Sequence, residues 1–139
     1  MNYSFKENQK KNLEIIRCIY IGLSSSNITP LLKFLNENVV WIEATGFPYG
    51  GTYRGITAVQ DVFERLATEW NDFKSNVTIY HEIIGRKIII VEGFYSGVCK
   101  NTEKSFKADF VHIWTLEDGM IQKFKQYVDS YVVREAMKP

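Results

Sequence analysis

The stretch DFVHIWTLEDGMIQKFKQYVD, residues 109–129, decides the fold of this chain. It contains two runs of strand-like sequence that are joined at Glu117-Asp118-Gly119. An Asp-Gly pair between two such runs is a strong signal for a tight turn, so the stretch predicts a long antiparallel hairpin. The hairpin also holds the two residues to which chemical roles are most readily given, His112 and Asp129.

The strand pattern continues upstream of the hairpin. Apolar and β-branched residues recur with a period of two, or form a continuous strand-like run, in residues 77–83, 87–99, 105–116 and 120–129. Turn-forming or polar residues separate these segments, and each segment is therefore expected to pair with the next. The second half of the chain is predicted to be a four-stranded meander.

The first half of the chain has a helical pattern. Apolar residues at spacings of three and four predict helices over residues 7–23 and 57–70, and Thr29-Pro30 predicts the start of a short helix between them. Residues 39–44 read as a strand, and the Gly- and Pro-rich residues 46–55 as a loop. The order is α-α-β-α-β-β-β-β, which predicts an α+β fold with the helices packed on one face of the sheet.

Composition narrows the class of protein. The length of 139 residues fits a single domain over residues 1–139, with a core from about 7 to 131. A net charge of +1 gives no footprint for nucleic acid, and no apolar run is long enough to span a membrane. The N-terminal residues lack the apolar region of a signal peptide, so we expect a cytoplasmic protein.

The motifs of cofactor-dependent chemistry are missing from the sequence. Gly50-Gly51 is not followed by the Lys-Ser/Thr of a phosphate-binding loop, and no dinucleotide fingerprint follows a strand. No group of His, Cys, Asp and Glu has the spacing of metal ligands, and Cys18 and Cys99 do not form a disulfide framework. We therefore expect a mechanism without metal or cofactor.

His112 is the strongest candidate for a chemical role. Strict alternation places it on the same face of its strand as Phe110 and Trp114, among large apolar groups. Such surroundings should lower the pKa of the imidazole and keep it neutral, so that it could donate a hydrogen bond to a carbonyl or move a proton. The alternative is a core histidine that is satisfied by a neighbouring group.

Asp129 is a conditional partner for His112. If Lys125, Tyr127 and Asp129 face the interior, an aromatic wall would desolvate the carboxyl and raise its pKa, as a general acid or base requires. If Phe124, Gln126 and Val128 face the interior instead, Asp129 is only a turn or helix cap. The pattern of this strand allows either face, and a bulge would exchange them.

Aromatic side chains from separate elements are candidates for the wall of a ligand site, since such sites are mostly apolar with a few polar groups. The candidate substrate-binding residues are Trp41, Tyr49, Tyr53, Phe94, Trp114 and Tyr127. Tyr49 and Tyr53 belong to the Gly-rich loop and are interpreted as a lip. Glu92 shares a face with Phe94 and is a reserve carboxylate for the same pocket.

The predicted order, together with three motifs, resembles the nuclear transport factor 2-like superfamily, and within it the SnoaL-like branch that includes polyketide cyclases and relatives of ketosteroid isomerase. The motifs are Tyr53-Arg54-Gly55 before the third helix, Phe94-Tyr95-Ser96-Gly97, and residues 110–114 followed by Asp118-Gly119 and residues 126–129. The resemblance implies a curved antiparallel sheet wrapped around a long helix as a cone, with an apolar pocket at its open end. It also implies a homodimer through the outer face of the sheet, and an acid/base role for an acidic residue near the end of the last strand, where Asp129 is the matching position.

Two functional hypotheses follow. In the first, the protein binds a small, largely apolar molecule with a carbonyl or hydroxyl group and acts as an isomerase, cyclase or dehydratase. Asp129 would be the base or acid, and His112, helped by Tyr53 or Tyr127, would hold the developing oxyanion. In the second, the same cone carries a ligand or a protein partner without catalysis. The two differ in whether His112 and Asp129 face one cavity.

Overall fold

The structure is a computed structural model that describes residues 2–139, with side chains described from residue 10 onward; Met1 lies outside the described residues. Its elements are α1 (Asn2–Leu23), α2 (Thr29–Phe34), β1 (Leu35–Glu43), β2 (Gly51–Arg54), α3 (Ile56–Glu69), β3 (Trp70–Glu82), β4 (Ile88–Cys99), β5 (Ser105–Glu117), β6 (Met120–Val128) and α4 (Ser130–Met137). The predicted α+β class and the predicted order of the main elements are confirmed. Two short elements are additional, because β2 lies within the expected loop and α4 is a full helix at the tail.

Within the described residues, the strands form one six-stranded sheet in the order β2-β1-β6-β5-β4-β3. The predicted meander from β3 to β6 is present, with each strand antiparallel to the next. β1 departs from the expected antiparallel sheet, because it lies parallel to β6, with Trp41 opposite Phe124. The sheet is curved and unclosed, and it matches the expected cone.

The hairpin between β5 and β6 forms where the Asp-Gly pair predicts it. Asp118 and Gly119 both have positive φ values, 51° and 74°. Two consecutive residues with positive φ characterise the turn that best fits the twist of a hairpin, and Asp and Gly tolerate this conformation well. The turn therefore aligns the long strands that carry the candidate site.

The faces of β5 follow strict alternation. Phe110, His112 and Trp114 are buried, whereas Lys107 and Asp109 are exposed. The prediction that His112 faces the interior is confirmed.

β6 contains an irregularity that alternation does not show. The pairing with β5 shifts register, so that Thr115 lies opposite Lys123 but Leu116 lies opposite Ile121. Because of this shift, Ile121 and Phe124 are both buried although three positions separate them. The residues that follow Phe124 on the interior face are Gln126 and, partly, Val128, whereas Lys125 and Tyr127 face outward.

The helices cover the inner face of the sheet. α1 contacts β3 and β4, and α3 contacts β1, β2 and β3, while α4 lies against β5 and β4. The apolar stripe predicted for the first helix is buried, with Ile16 and Ile19 fully enclosed. Among the described residues, no helix is both long enough and apolar enough to cross a membrane.

Candidate active site

A cavity of about 450 Å³ lies between α3 and the inner face of the sheet. This volume falls in the range of small-molecule sites. Its walls are rich in aromatic side chains and come from five strands, two helices and the loops next to them. Large apolar side chains in the wall include Trp41, Phe47, Phe63, Trp70, Trp114 and Phe124.

Polar residues mark the opening of the cavity. Ser26, Glu64, Asn71, Asp72 and Lys100 line it and are exposed to solvent. The interior of the cavity is different, because the polar groups on its wall are buried. These buried residues are Glu43, Ser75, Tyr95, His112 and Gln126.

Glu43 is the carboxyl group of the cavity. It lies at the end of β1 on the same face as Trp41, and its Oε1 accepts a hydrogen bond from Trp41 Nε1 at 2.8 Å. Its Oε2 is buried and has no hydrogen-bond partner among the described residues. Burial raises the pKa of this carboxyl to about 7, and the hydrogen bond from Trp41 offsets only part of that effect.

His112 lies between two tyrosines. Its Nδ1 is 2.5 Å from the hydroxyl of Tyr20, which α1 contributes, and its Nε2 is 2.6 Å from the hydroxyl of Tyr95 on β4. The ring also stacks on Phe110 with a centroid distance of 3.8 Å. Burial lowers the pKa of His112 well below its ordinary value, so the imidazole is neutral, as predicted.

The two tyrosines that flank His112 are fixed by further hydrogen bonds. Trp114 Nε1 donates to the Tyr20 hydroxyl at 2.8 Å, and Gln126 Nε2 donates to the Tyr95 hydroxyl at 2.7 Å. Burial raises the pKa of both tyrosines well above the ordinary value, so that both keep their protons. The buried end of the cavity therefore combines a neutral hydrogen-bonding network with a carboxyl that titrates near neutral pH.

Three of the predicted site residues line this cavity, namely His112, Trp41 and Trp114. Asp129 does not, and its expected position is corrected. It is exposed and caps α4, where its Oδ1 accepts from the backbone N–H of Val132 at 3.4 Å. The register shift in β6 is the physical reason, because it turns Gln126 inward and Asp129 outward.

Phe94 and Tyr127 are also displaced from the expected pocket, to the outer face of the sheet. Phe94 lies beneath the ammonium of Lys107, 4.4 Å from the ring centroid, and Tyr127 beneath that of Lys125, at 5.1 Å. On β4 it is Val91 and Tyr95 that face inward, the opposite of the parity expected for this strand.

Tyr49 and Tyr53 support the fold and do not form a lip. Tyr49 is 1% exposed, and its hydroxyl accepts from Trp70 Nε1 at 2.8 Å and donates to Glu69 at 3.1 Å. The Tyr53 hydroxyl donates to the backbone carbonyl of Tyr49 at 2.6 Å. Neither tyrosine is part of the cavity wall.

Glu92, expected as a reserve carboxylate of the pocket, lies on the outer surface of the sheet. It is 2.5 Å from Nε2 of His81, and both side chains are nearly half exposed. Its orientation follows from the same parity of β4 that places Tyr95 inside. Within the part of the chain that the structure describes, no group of His, Cys, Asp and Glu is arranged to hold a metal ion.

Sequence reasoning missed four polar residues of the site: Glu43, Gln126, Tyr95 and Tyr20. A signal for Glu43 was present, because alternation along β1 puts it on the face of Val39 and Trp41. Tyr20 belongs to the apolar stripe that predicts the first helix, and the spacing alone gives it no polar role. Its contact with His112 joins residues 92 positions apart, and no local pattern carries such information.

Known proteins share this architecture. An NTF2-like protein from Burkholderia thailandensis E264 is 30% identical to this chain. The comparison covers 92% of this chain and 98% of the other, with a TM-score of 0.85. TerC, crystallised with polyporic acid, is 21% identical with a TM-score of 0.82 over 93% of this chain and 99% of its own. A protein with a ketosteroid isomerase-like fold from Catenulispora acidiphila DSM 44928, in complex with trimethylamine, is 15% identical, with coverages of 91% and 94% and a TM-score of 0.77.

The fold and the site thus define a member of the nuclear transport factor 2-like class. The SnoaL-like domain model matches residues 17–124, and the chain belongs to that family. The resemblance inferred from the motifs is confirmed. No curated protein matches the sequence.

Proposed function

We propose that this protein is a cofactor-free enzyme that transfers a proton to or from a small, largely apolar molecule bearing a carbonyl or hydroxyl group. The observation that carries the proposal is Glu43, a buried carboxyl on the cavity wall with an unpartnered oxygen and a pKa of about 7. A general acid or base works best when its pKa is close to the operating pH. Glu43 takes the role first expected of Asp129.

Other polar groups of the cavity are suited to stabilise the negative charge that such a reaction places on the substrate oxygen. Removal of a proton next to a carbonyl places negative charge on the oxygen, and fixed hydrogen-bond donors stabilise that charge. Tyr95, His112 and Gln126 form the neutral polar cluster at the same end of the cavity as Glu43. Isomerisation, cyclisation and dehydration all use this pairing of a base with an oxygen-binding group, and none of them needs a cofactor in this scheme.

The aromatic walls support a largely apolar ligand. Trp41 and Phe124 stack with a centroid distance of 3.8 Å, and Trp114 packs against both. Rigid aromatic faces favour flat or ring-containing molecules over flexible polar ones. Two proteins of this fold were crystallised with small organic molecules, which fits a small-molecule site.

The test is proton exchange at carbon. Indanone, tetralone and acetonaphthone are incubated with the protein in D₂O, and loss of the α-proton signals is followed by proton NMR. We expect the natural chain to accelerate exchange of at least one ketone, and Glu43→Gln to lower that rate by about a hundredfold or more, since general base catalysis typically contributes that much.

Asp129→Asn is the matched control. It makes the same carboxyl-to-amide change at an exposed position outside the cavity, and Asn caps a helix as well as Asp does. It should leave the exchange rate unchanged. Equal rates for the natural chain and Glu43→Gln would remove the proposed role of Glu43.

A second candidate function is ligand binding without catalysis, which the enclosed aromatic walls favour equally. Under this alternative, the ketones raise the melting temperature of the protein, as any ligand specific to the folded state does, but no exchange occurs. The exchange assay therefore separates the two functions.

We also propose that the protein forms a homodimer through the outer face of the sheet. Ile79 and Tyr127 on that face are 48% and 50% exposed, and Phe94 and Val111 line a shallow depression beside Tyr127. Apolar groups clustered on an exposed face are typical of interfaces. Sedimentation equilibrium should give a dimer for the natural chain and a monomer for Tyr127→Glu; a monomeric natural chain would contradict the proposal.

A further inference from the structure

A hydrogen-bonded chain of five side chains runs through the buried end of the cavity. It passes from Trp114 to Tyr20, His112, Tyr95 and Gln126, and every link is between 2.5 and 2.8 Å. Four of these five residues are 3% exposed or less, and Tyr95 is 5% exposed. The five side chains come from α1, β4, β5 and β6. The positions of the hydrogens along this chain determine which group can bind a ligand.

At both ends of this hydrogen-bonded chain, the donor and the acceptor are fixed. The indole N–H of Trp114 can only donate, so the Tyr20 oxygen accepts from it. At the other end, Oε1 of Gln126 accepts from the backbone N–H of Ala44 at 3.2 Å, which fixes the orientation of the amide. The amide nitrogen of Gln126 therefore faces Tyr95 and donates to its oxygen.

The three central side chains of this hydrogen-bonded chain carry one hydrogen more than there are hydrogen bonds between them. Tyr20, Tyr95 and the neutral imidazole of His112 carry three hydrogens on these atoms, namely two O–H and one N–H. Only two hydrogen bonds join them, one at each ring nitrogen. One tyrosine hydrogen is therefore left over, and the tautomer of His112 decides which tyrosine keeps it.

The two tautomers of His112 differ in free energy, because they leave the spare hydrogen on different tyrosines. If Nδ1 carries the hydrogen, Tyr95 donates to Nε2 and the spare hydrogen belongs to Tyr20. Tyr20 is 3% exposed and is not part of the cavity wall, so that hydrogen would be buried without an acceptor among the described residues. If Nε2 carries it, Tyr20 donates to Nδ1 and the spare hydrogen belongs to Tyr95, which lines the cavity. An unmet buried donor is unfavourable, so the second arrangement is favoured.

We infer that His112 is held as the Nε2–H tautomer, and that the hydroxyl of Tyr95 is the hydrogen-bond donor that contacts the ligand. His112 is then a positioning residue, because both of its ring nitrogens are occupied by tyrosines and it acts through Tyr95. The role of Tyr95 as the oxygen-binding group of the reaction rests on the proposed function. The tautomer of His112 does not depend on that function.

The inference narrows the class of ligand. The Tyr95 oxygen already accepts from both His112 and Gln126, so what it offers the ligand is its hydrogen. The spare amide hydrogen of Gln126 is a second donor on the same wall. The ligand group that fits is an acceptor oxygen, such as a ketone or an enolate, with the proton to be moved turned toward Glu43.

The first experiment measures the tautomer directly. The chain has two histidines, so His81→Gln, a change at an exposed site, leaves His112 as the only imidazole. Nitrogen-15 NMR of this variant distinguishes a hydrogen-bearing ring nitrogen from a bare one. We expect hydrogen on Nε2 and a bare Nδ1; hydrogen on Nδ1, a mixture of tautomers or a charged ring would overturn the inference.

The second experiment tests by ligand binding, without turnover, whether the Tyr95 hydroxyl donates a hydrogen bond to the ligand. Acetonaphthone and ethylnaphthalene have nearly the same shape, but only the ketone has an acceptor oxygen. At about pH 8.5 the Glu43 carboxyl is ionised and cannot donate, and the natural chain should bind the ketone roughly tenfold more tightly than the hydrocarbon.

Tyr95→Phe should abolish this preference, whereas Tyr53→Phe, which removes a tyrosine hydroxyl outside the cavity, should preserve it. A preference that survives Tyr95→Phe, or no preference in the natural chain, would refute the role of Tyr95. Neither measurement depends on proton exchange, so a protein that binds the ketone through Tyr95 but does not catalyse exchange would refute only the proposed function.

Discussion

Replacement of Glu43 by Gln should stabilise the protein at alkaline pH and not at acidic pH. The folded state holds the proton of Glu43 up to a pKa of about 7, whereas the unfolded chain releases it near the ordinary value of 4.5. Between these two values the folded state binds one more proton than the unfolded state, so stability falls as the pH rises. Above pH 7 the buried carboxyl of Glu43 loses its proton, and the folded state then contains a buried negative charge.

The magnitude follows from the two pKa values. A change from 4.5 to about 7, at ~1.4 kcal/mol for each pH unit, corresponds to about 3 kcal/mol of unfolding free energy. Glutamine has nearly the same shape and no charge, so Glu43→Gln should match the natural chain near pH 4.5 and exceed it by up to about 3 kcal/mol above pH 7. For a domain of this size the difference amounts to roughly 10 °C in melting temperature.

The assay is urea unfolding at a series of pH values for both chains, since the difference between the two curves cancels the other titrating groups. Asp129→Asn serves as the control for the same chemical change at an exposed carboxyl, and it should retain the fall in stability with pH. A constant difference between the natural chain and Glu43→Gln from acidic to alkaline pH would refute the reasoning. It would mean that Glu43 ionises at no cost.

Two further predictions concern packing around the site. Tyr49→Phe leaves the buried Trp70 N–H without its acceptor and removes the donor to Glu69, so it should cost about 1–3 kcal/mol in urea unfolding. Gly93→Ala would place a Cβ 2.2 Å from the backbone oxygen of Asn76, which cannot move without disturbing the sheet. We expect a loss of at least about 2 kcal/mol by thermal unfolding, and an unchanged melting temperature would contradict this.

The fold could be predicted from local signals because those signals are strong. The Asp118-Gly119 turn and the alternation of β5 each require only residues that are neighbours in sequence. The interior position of His112 followed from them directly. The helix stripe of α1 and the position of α3 were likewise readable from spacing alone.

The candidate site could be predicted only in part, because its composition depends on registers and distant contacts. A shift in the pairing of β6 exchanged Asp129 for Gln126 as the inward-facing polar residue, and the sequence of that strand is compatible with either face. On β4, a continuous apolar run hid the parity that brings Tyr95 inside. The role of Glu43 was available from alternation, but a carboxyl at a strand end is more often solvated, and only the structure shows it enclosed.

The parallel pairing of β1 with β6 has a consequence for how the molecule acquires its site. β3 to β6 are joined by short connections and can assemble from contacts close in sequence, whereas β1 must wait for a strand some 80 residues away. Pairings of such long range form late and slowly in folding. Glu43 lies on β1, and Gln126 and Phe124 lie on β6, so partly folded chains contain a sheet without a pocket. Ligand binding should therefore appear in refolding experiments only after most of the sheet signal has returned.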